Sequence, residues 1–370
     1  MPIYSRRDFI KQLSALAAAA FVEQKAASAT VATNSEDAGD FNFLVVGDSL
    51  VWGQGLREED KFYYLTKRWL ETEIFKNGQV NLKVKAHSGA NIGLRPNIAA
   101  ALGKAKIADG EAFYPEINIP FPSIYAQIEE ARAEYENPRT VKLIMLTGGL
   151  TDVKLSTILN PFKDDEELKG DIERYCNREM FLLLKRAAAQ FPDALIVVVG
   201  YHPYVSKYTP TSDLFNGVLE VRGFPRALKS LVNNPLNRRI LKSYRRKMVG
   251  RTLIASEIST LELGKAVNRL NAELGKQRGV FVESPIKEQN SIGAKNSLVW
   301  EIEKKGRAKD PLAAERKMMC RETIDDLRKT THLKYGAPVC ELASIGHPNV
   351  EGSKAIAAAI QSVLKPILTV

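Results

Sequence analysis

The stretch FNFLVVGDSL, residues 41–50, decides the fold of this chain. Its first six residues are almost all apolar, and the run ends abruptly at Gly47-Asp48. A short apolar run that stops at a glycine is typical of a buried parallel strand that enters a turn. The stretch therefore predicts a first strand whose carboxyl end presents Asp48 and Ser49.

Four further apolar stretches follow along the chain, each preceded by a segment with helical periodicity. The predicted strands cover residues 80–86, 140–146, 194–199 and 279–282, and the predicted helices cover residues 61–75, 122–135, 167–190, 260–276 and 349–364. Strands that alternate with helices are typical of a domain with a parallel sheet. We therefore expect an α/β fold, a three-layer αβα sandwich with a central parallel five-stranded sheet of the flavodoxin-like kind.

The first 40 residues have a different character. Arg6 and Arg7 precede an apolar run at residues 13–22, and Ala27-Ser28-Ala29 follows as a small-residue segment. This order resembles a twin-arginine signal peptide with its cleavage site, and the alternative is a short helix that packs on the domain. We expect residues 1–29 to be the signal, residues 30–40 a linker, and residues 41–370 a periplasmic or extracellular domain.

Positive charge is concentrated in one part of this domain. The formal net charge is +10, and residues 222–251 contain ten basic residues and no acidic one. They lie in a stretch without a strand pattern, which we interpret as an insertion at about 203–250 that forms a lid or flank of the site. The basic residues are Arg222, Arg226, Lys229, Arg238, Arg239, Lys242, Arg245, Arg246, Lys247 and Arg251.

Within this insertion, the apolar residues fall on one helical stripe. They are Leu236, Ile240, Leu241, Tyr244 and Met248. A basic amphipathic helix of this kind either lies on an anionic membrane surface or packs its stripe on the domain with the charges in solvent. Nucleic acid is not an expected partner, since no binding motif accompanies the charge.

The three cysteines have no metal-site spacing. In an oxidising compartment Cys320 and Cys340 can form a disulfide, which would stabilise the fold by about 3 kcal/mol. The alternative is two independent buried thiols. Cys176 is expected to be a small core residue, and neither a metal nor a cofactor is predicted.

The residues with catalytic chemistry stand where ligands collect in parallel sheets, at the carboxyl ends of strands. The blocks are Gly47-Asp48-Ser49-Leu50, His87-Ser88-Gly89-Ala90 and Gly149-Leu150-Thr151-Asp152, followed by Ser344-Ile345-Gly346-His347-Pro348-Asn349 before the last helix. In this order the four blocks resemble those of the SGNH/GDSL hydrolases. One such block occurs by chance in many proteins, whereas four in order are specific.

The resemblance implies a role for each matching residue. Ser49 would be the nucleophile and His347 its base, while the N–H groups of Ser49 and Gly89 would bind the oxyanion. Thr151 stands where the family has the asparagine that donates to the oxyanion, and Ser344 stands where it has the acid. The resemblance then implies a base that is oriented by a hydroxyl or a backbone carbonyl.

Other polar residues near these blocks are assigned supporting roles. Asp48 and Asp152 are expected to cap backbone N–H groups and hold the loops in place. His202 and His87 are expected to be satisfied loop residues, with contact to the substrate as the alternative, and His332 is expected at the surface.

The expected activity is hydrolysis of carboxylic esters by an esterase or lipase, with a lipid, glycan or other small ester as substrate. Carbohydrate O-deacetylation and acyl transfer use the same residues and stay open as alternatives. A further alternative is a non-catalytic domain that binds lipid or glycan, because Thr151 and Ser344 both depart from the family pattern.

Overall fold

The computed structural model describes residues 41–76, 78–212, 214–215, 238–302, 308–333 and 336–369, with residues 238–240 described by their backbone alone. The predicted signal peptide and linker lie outside the described residues. The same holds for much of the predicted insertion, from 216 to 237.

The centre of the fold is a sheet of five parallel strands in the order β2-β1-β3-β4-β5. The strands are β1 (Phe41–Val46), β2 (Val80–Val84), β3 (Val141–Leu146), β4 (Leu195–Val199) and β5 (Gly279–Val282). All four pairings between neighbouring strands are parallel, with Val45 of β1 opposite Val84 on one side and Met145 on the other. The predicted five-stranded parallel sheet is confirmed.

This strand order positions the site. The chain runs from β1 outward to the edge strand β2 and then returns to the other side of β1 as β3. The connections after β1 and β3 therefore leave the sheet in opposite directions, and the crevice between them is where open α/β sheets bind their ligands. Ser49 and Thr151 stand at these two strand ends.

Helices cover both faces of the sheet. One group pairs α2 (Phe62–Trp69) with the C-terminal α12 (Val350–Leu368), and another group joins α4 (Ile124–Glu134), α7 (Asp165–Glu173), α8 (Met180–Gln190) and α9 (Arg238–Leu274). Every residue of β4 is buried, as its continuous apolar sequence requires of a strand covered on both sides. The result is the predicted three-layer sandwich.

The other described α-helices include several that lie at the site. These other helices are α1 (Ser49–Trp52), α3 (Pro96–Ala105), α5 (Leu150–Val153), α6 (Leu155–Ile158), α10 (Ala313–Thr331) and α11 (Ala337–Glu341). The sequence analysis did not predict α3, α10 or α11. Their apolar residues, among them Ile98, Leu102 and Ile324, form a second cluster with Phe121 of the loop before α4, apart from the main core.

The helix predicted over residues 260–276 is longer in the structure, because it begins at Arg238 and continues through the predicted insertion boundary at 250 as α9. Its first turns pack on the domain: Leu241 and Met248 are buried, and the ring of Tyr244 lies 5.0 Å from that of Phe162. For the described part of the basic segment, the structure therefore shows the packing alternative. None of the described helices combines the length and apolar character needed to span a bilayer.

The cysteines stand as expected. Cys320 and Cys340 form a disulfide that joins α10 to α11, and both lie in the second apolar cluster. Cys176 is a free, buried cysteine of the main core. The alternative of two independent thiols at 320 and 340 is not what the structure has.

Candidate active site

Ser49 is the first residue of α1, immediately after the turn that ends β1. Gly47 makes this turn with φ +140°, and a Cβ there would lie only 2.4 Å from the carbonyl oxygen of Thr147. The position therefore requires glycine. The side chain of Gln127 fixes the turn, since its Oε1 accepts from the Gly47 N–H at 2.7 Å and its Nε2 donates to the Gly47 carbonyl at 3.1 Å.

His347 lies against this serine, with 2.7 Å between its Nε2 and the Ser49 Oγ. Its loop is anchored by backbone hydrogen bonds to the segment around Trp300: the Gly346 N–H donates to the Trp300 carbonyl, and the Trp300 N–H donates to the His347 carbonyl. Both side chains of the pair are buried. Two residues 298 positions apart thus lie within hydrogen-bonding distance, which is the geometry that a serine nucleophile and its base require.

The environment of His347 keeps its imidazole neutral. Burial lowers its pKa to about 3, and the nearby His202 and Arg316 act in the same direction. The carbonyls of Ala343 and Ser344 raise it again, because they favour a protonated ring. The Nδ1 of His347 has no hydrogen-bond partner among the described residues. A neutral imidazole can accept the hydroxyl proton of Ser49 over a wide pH range.

Asp48 holds three strand ends together. Its Oδ1 accepts from the Leu50 N–H at 3.0 Å and from the Thr147 hydroxyl at 2.7 Å. Its Oδ2 accepts from the hydroxyls of Thr151 at 2.6 Å and Tyr201 at 2.5 Å. The carboxylate is fully buried, so these four donors replace its hydration. Asp48 therefore supports the geometry of the loops around Ser49.

The same contacts correct the expectation for Thr151. Its hydroxyl has one hydrogen, which it donates to Asp48, so this hydrogen is not directed at a developing oxyanion. The N–H groups of Ser49 and Gly89 have no partner among the described residues. Both N–H groups are therefore free to donate within the described structure, and the threonine hydroxyl supports Asp48.

Gly89 belongs to the loop after β2, which lies beside the nucleophile turn. The His87 N–H donates to the Gly47 carbonyl at 3.0 Å and so continues the pairing of β2 with β1 beyond the strands. Gly89 has φ +81°, and a Cβ there would be 2.7 Å from the carbonyl oxygen of Ile119. Only glycine fits this close approach without strain.

Asp152 ties this second loop to the end of β3. Its Oδ1 accepts from the Asn91 amide at 2.8 Å, and its Oδ2 accepts from the Ile92 N–H at 3.1 Å. Burial raises the pKa of Asp152 to about 7, against the opposing effect of these donors and of Arg95. Asp152 thus holds the loop that carries Gly89.

The Ser344 side chain is placed differently from the expectation that it orients the base. Its hydroxyl donates to Asp310 Oδ2 at 2.6 Å and accepts from Arg316 Nη2 at 3.0 Å. Arg316 also donates to Asp310 and, at 2.9 Å, to Glu116. The Ser344 hydroxyl is thus hydrogen-bonded to Asp310 and Arg316. The groups that face the His347 ring are instead the backbone carbonyls of Ala343 and Ser344.

Asp310, Arg316 and Glu116 form a fully buried charge cluster that the sequence analysis missed. Glu116 accepts hydrogen bonds from three groups just after the nucleophile: the Trp52 indole, the Gln54 amide and the Gly55 N–H. Arg316 also donates to the carbonyl of Glu341, near the base. The buried charge cluster therefore connects the segment that follows Ser49 to the segment that precedes His347.

The remaining histidines have distinct positions. His202 Nε2 lies 2.8 Å from the Gly346 carbonyl, so this ring supports the loop of the base, and burial lowers its pKa to about 4. His87 is buried with its Nδ1 3.0 Å from the Ser88 carbonyl, and burial lowers its pKa to about 4 as well. His332 ends α10 at an exposed position.

No protein-family model matches this chain, and no curated protein matches it either. Among solved structures it is similar to phospholipase A1 from Streptomyces albidoflavus NA297, at 11% identity and a TM-score of 0.42, over 87% of this chain and 98% of that one. It is also similar to an extracellular lipase from Streptomyces rimosus, at 11% identity and a TM-score of 0.43, over 87% of this chain and 99% of that one. A third similar structure is a putative arylesterase from Agrobacterium tumefaciens, at 14% identity and a TM-score of 0.38, over 88% of this chain and 99% of that one. At identities and TM-scores this low, we infer nothing about the activity of this chain from these proteins.

Proposed function

We propose that this chain is a serine esterase of the SGNH/GDSL kind. The observation that carries the proposal is the 2.7 Å contact between Ser49 Oγ and His347 Nε2. It lies at the carboxyl ends of the central strands, where the strand order reverses. The four sequence blocks that resemble the family all contribute to this one place.

The reaction proceeds through an acyl-enzyme. Ser49 Oγ attacks the ester carbonyl carbon while His347 takes its proton, and the N–H groups of Ser49 and Gly89 stabilise the negative oxygen. Collapse of this intermediate breaks the carbon–oxygen bond, and the alcohol leaves with the proton from His347. Water, deprotonated by His347, then releases the acid and restores Ser49.

The missing acid affects the rate of this reaction. A carboxylate beside the base would stabilise the imidazolium that forms during attack. Here burial, His202 and Arg316 oppose that charge, whereas the carbonyls of Ser344 and Ala343 favour it. With Thr151 engaged by Asp48 as well, the machinery is reduced to a nucleophile, a base and two N–H donors. Turnover is therefore slower than a complete set of groups would give.

The test is hydrolysis of nitrophenyl acetate and of a longer-chain ester by the wild type, Ser49→Ala and His347→Ala. Loss of the nucleophile or the base costs at least about 10³-fold in kcat. His332→Ala is the matched control, because this exposed histidine lies outside the site. Activity that survives in Ser49→Ala contradicts the proposal.

A second candidate is a non-catalytic domain that binds lipid or glycan esters. It is favoured by the hydroxyl contacts of Thr151 and Ser344, which direct both side chains away from catalytic roles. A fluorophosphonate reacts only with an activated serine, so labelling that disappears in Ser49→Ala supports the enzyme. Carbohydrate deacetylation and acyl transfer are separated from simple hydrolysis by supplying acetylated glycan or an acceptor alcohol.

Export by the twin-arginine route belongs to the same proposal. The disulfide between Cys320 and Cys340 supports an oxidising compartment. The replacement of Arg6 and Arg7 by lysine is expected to retain the protein in the cytoplasm, whereas the replacement of Lys25 by arginine, in the same segment, leaves export intact.

A further inference from the structure

Three large apolar side chains stand exposed in segments that contact α9. Phe162 is 76% exposed, Leu155 46% and Tyr208 45%. Leu155 begins α6 only three residues after Asp152, so this surface starts directly beside the candidate active site. Phe162 is the most exposed large apolar side chain in the described part of the chain. Exposed apolar side chains grouped together indicate a contact surface.

The segments that carry these side chains are fixed to α9. Arg251 is buried and donates to the carbonyls of residues 157, 158, 163 and 164, which lie on either side of Phe162. Arg245 donates to the carbonyls of Thr209 and Lys207, on either side of Tyr208. The exposed side chains are therefore presented by loops with many hydrogen bonds, not by free chain ends.

The same surface carries an excess of positive charge. Lys242, Arg246 and Lys247 are exposed on the outer face of α9, and Lys207 adjoins Tyr208. The acidic residues that follow Phe162 are mostly paired with bases. In the described residues these pairs are Asp165 with Arg251, Glu166 with Lys169 and Glu167 with Lys163, with Asp164 capping α7.

This arrangement revises the membrane interpretation of the sequence. The apolar stripe of α9 faces inward, where Leu241 and Met248 are buried, so α9 cannot insert that stripe into a bilayer. Its basic face remains outward, and the apolar side chains beside it come from other segments. We name this combination the apolar–basic surface: Leu155, Phe162, Tyr208, Lys207, Lys242 and Arg246.

We propose that the apolar–basic surface docks on an anionic lipid surface, with Phe162 entering the acyl boundary and the basic side chains at the headgroups. A soluble polyanion would use the lysines and arginines but would leave Phe162 in water, so a lipid surface fits both features. Docking would bring the Ser49 site close to the lipid layer, since Leu155 lies three residues after Asp152. The conclusion that lipid esters are substrates rests on the proposed esterase function, whereas the docking itself does not.

The experiment measures cosedimentation of the mature chain with vesicles of equimolar phosphatidylcholine and phosphatidylglycerol, and with vesicles of phosphatidylcholine alone. Binding is expected only to the anionic vesicles. Phe162→Ser is expected to weaken it about tenfold through lost apolar burial. Met318→Ser is the matched control, because Met318 is 61% exposed on α10, outside the surface, and its loss leaves binding unchanged.

Charge is tested with Lys242→Gln and Arg246→Gln, each expected to weaken binding about fivefold. The matched controls, Lys317→Gln and Lys329→Gln, are exposed on α10 and leave binding unchanged. The proposal is overturned if phosphatidylcholine alone binds equally well. It is also overturned if the charge variants lose binding while Phe162→Ser keeps it, since that pattern identifies a polyanion site.

Hydrolysis of nitrophenyl acetate is measured on every variant to separate this proposal from the proposed function. Retained hydrolysis by Phe162→Ser, together with weakened vesicle binding, supports docking apart from catalysis. Vesicle binding by a wild type that hydrolyses no ester supports the docking and contradicts the esterase. Hydrolysis by a wild type that binds no vesicles supports the esterase and contradicts the docking.

Discussion

The hydroxyl of Ser344 donates to the carboxylate of Asp310 at 2.6 Å, although His347 follows only three residues later. The position where a catalytic acid would be expected is thus part of the buried charge cluster. The cluster already contains two carboxylates, Asp310 and Glu116, and one guanidinium, Arg316. The cluster acts on His347 in two ways, because it fixes the backbone around residue 344 and because its Arg316 lowers the pKa of the imidazole.

Ser344→Asp is therefore expected to harm the protein instead of completing its catalytic set. The new carboxylate would lie beside Asp310, with Arg316 already shared by two acids, and an uncompensated buried charge costs about 3–5 kcal/mol. Chemical denaturation measures the loss. The control Ser344→Ala removes the two hydrogen bonds to Asp310 and Arg316 and costs about 2 kcal/mol. Higher ester hydrolysis by Ser344→Asp at unchanged stability would contradict this account.

Thr151→Val tests the correction for the third oxyanion donor. The variant keeps the shape of the side chain but removes the donor to Asp48 Oδ2, where the hydroxyl of Tyr201 remains. We expect a loss of about 1 kcal/mol in stability and less than about a tenfold loss in kcat. An oxyanion donor would cost roughly 10²–10³-fold. Thr151→Ser retains the hydroxyl and is expected to match the wild type in both measurements.

The strands follow from local sequence patterns, whereas the pairing of Ser49 with His347, 298 positions apart, was implied only by the resemblance to the SGNH/GDSL hydrolases. The apolar run of residues 41–46 and the Gly47 turn are continuous in the chain, and they place Ser49 whatever the rest of the fold does. The hydrogen-bond partners of polar side chains are not local in the sequence. Thr151 donates to Asp48, 103 positions away, and Arg316 donates to Glu116, 200 positions away. No sequence period or motif connects single charged residues at such separations, so the buried charge cluster could be identified only from the tertiary structure.

The length of α9 shows a related limit. The sequence analysis placed the apolar stripe that ends at Met248 in an insertion and predicted a separate helix over residues 260–276, yet the structure has one helix from Arg238 to Leu274. Nothing lies near the position of an added Cβ at Gly250, so this glycine is on an open side of the helix. Tertiary packing of α9 on α7 and α8 outweighs the weak helix propensity of one glycine.

Loss of the disulfide is expected to affect both stability and catalysis. Cys320 and Arg316 lie one turn apart on α10, and both are buried, so a looser α10 displaces the guanidinium of the buried charge cluster. Combined Cys320→Ala and Cys340→Ala should lower stability by about 3 kcal/mol and lower kcat with little change in KM. Treatment of the wild type with reductant should reproduce both effects. An unchanged kcat would show that α10 does not position the site.

Acid is expected to destabilise the fold through its buried histidines. The pKa values of His87, His202 and His347 lie near 4, 4 and 3, below the usual 6.5, so between pH 6.5 and about 4.5 the unfolded chain binds three protons that the folded chain does not. Asp152 acts oppositely, because its raised pKa of about 7 lets the folded chain bind one. The unfolded chain therefore binds a net two protons more than the folded chain. The free energy of unfolding falls as the pH falls, by about 1.4 kcal/mol per pH unit for each of these two protons. Urea denaturation at several pH values measures the slope.

Catalysis should respond to acid differently from an enzyme with an ordinary histidine. Because the pKa of His347 is lowered to about 3, the base stays neutral well below pH 6.5, and kcat/KM reports the ionisation of the free enzyme. We expect kcat/KM for nitrophenyl acetate to remain level between pH 7 and 5. Circular dichroism at each pH separates loss of fold from loss of activity, and rates count only where the protein stays folded. Asp152, whose pKa is about 7, also titrates in this range, so the profile is repeated with Asp152→Asn. An inflection near pH 6.5 that persists in this folded variant would mean that the imidazole is solvated or paired with an acid, which would contradict the buried, carboxylate-free base described above.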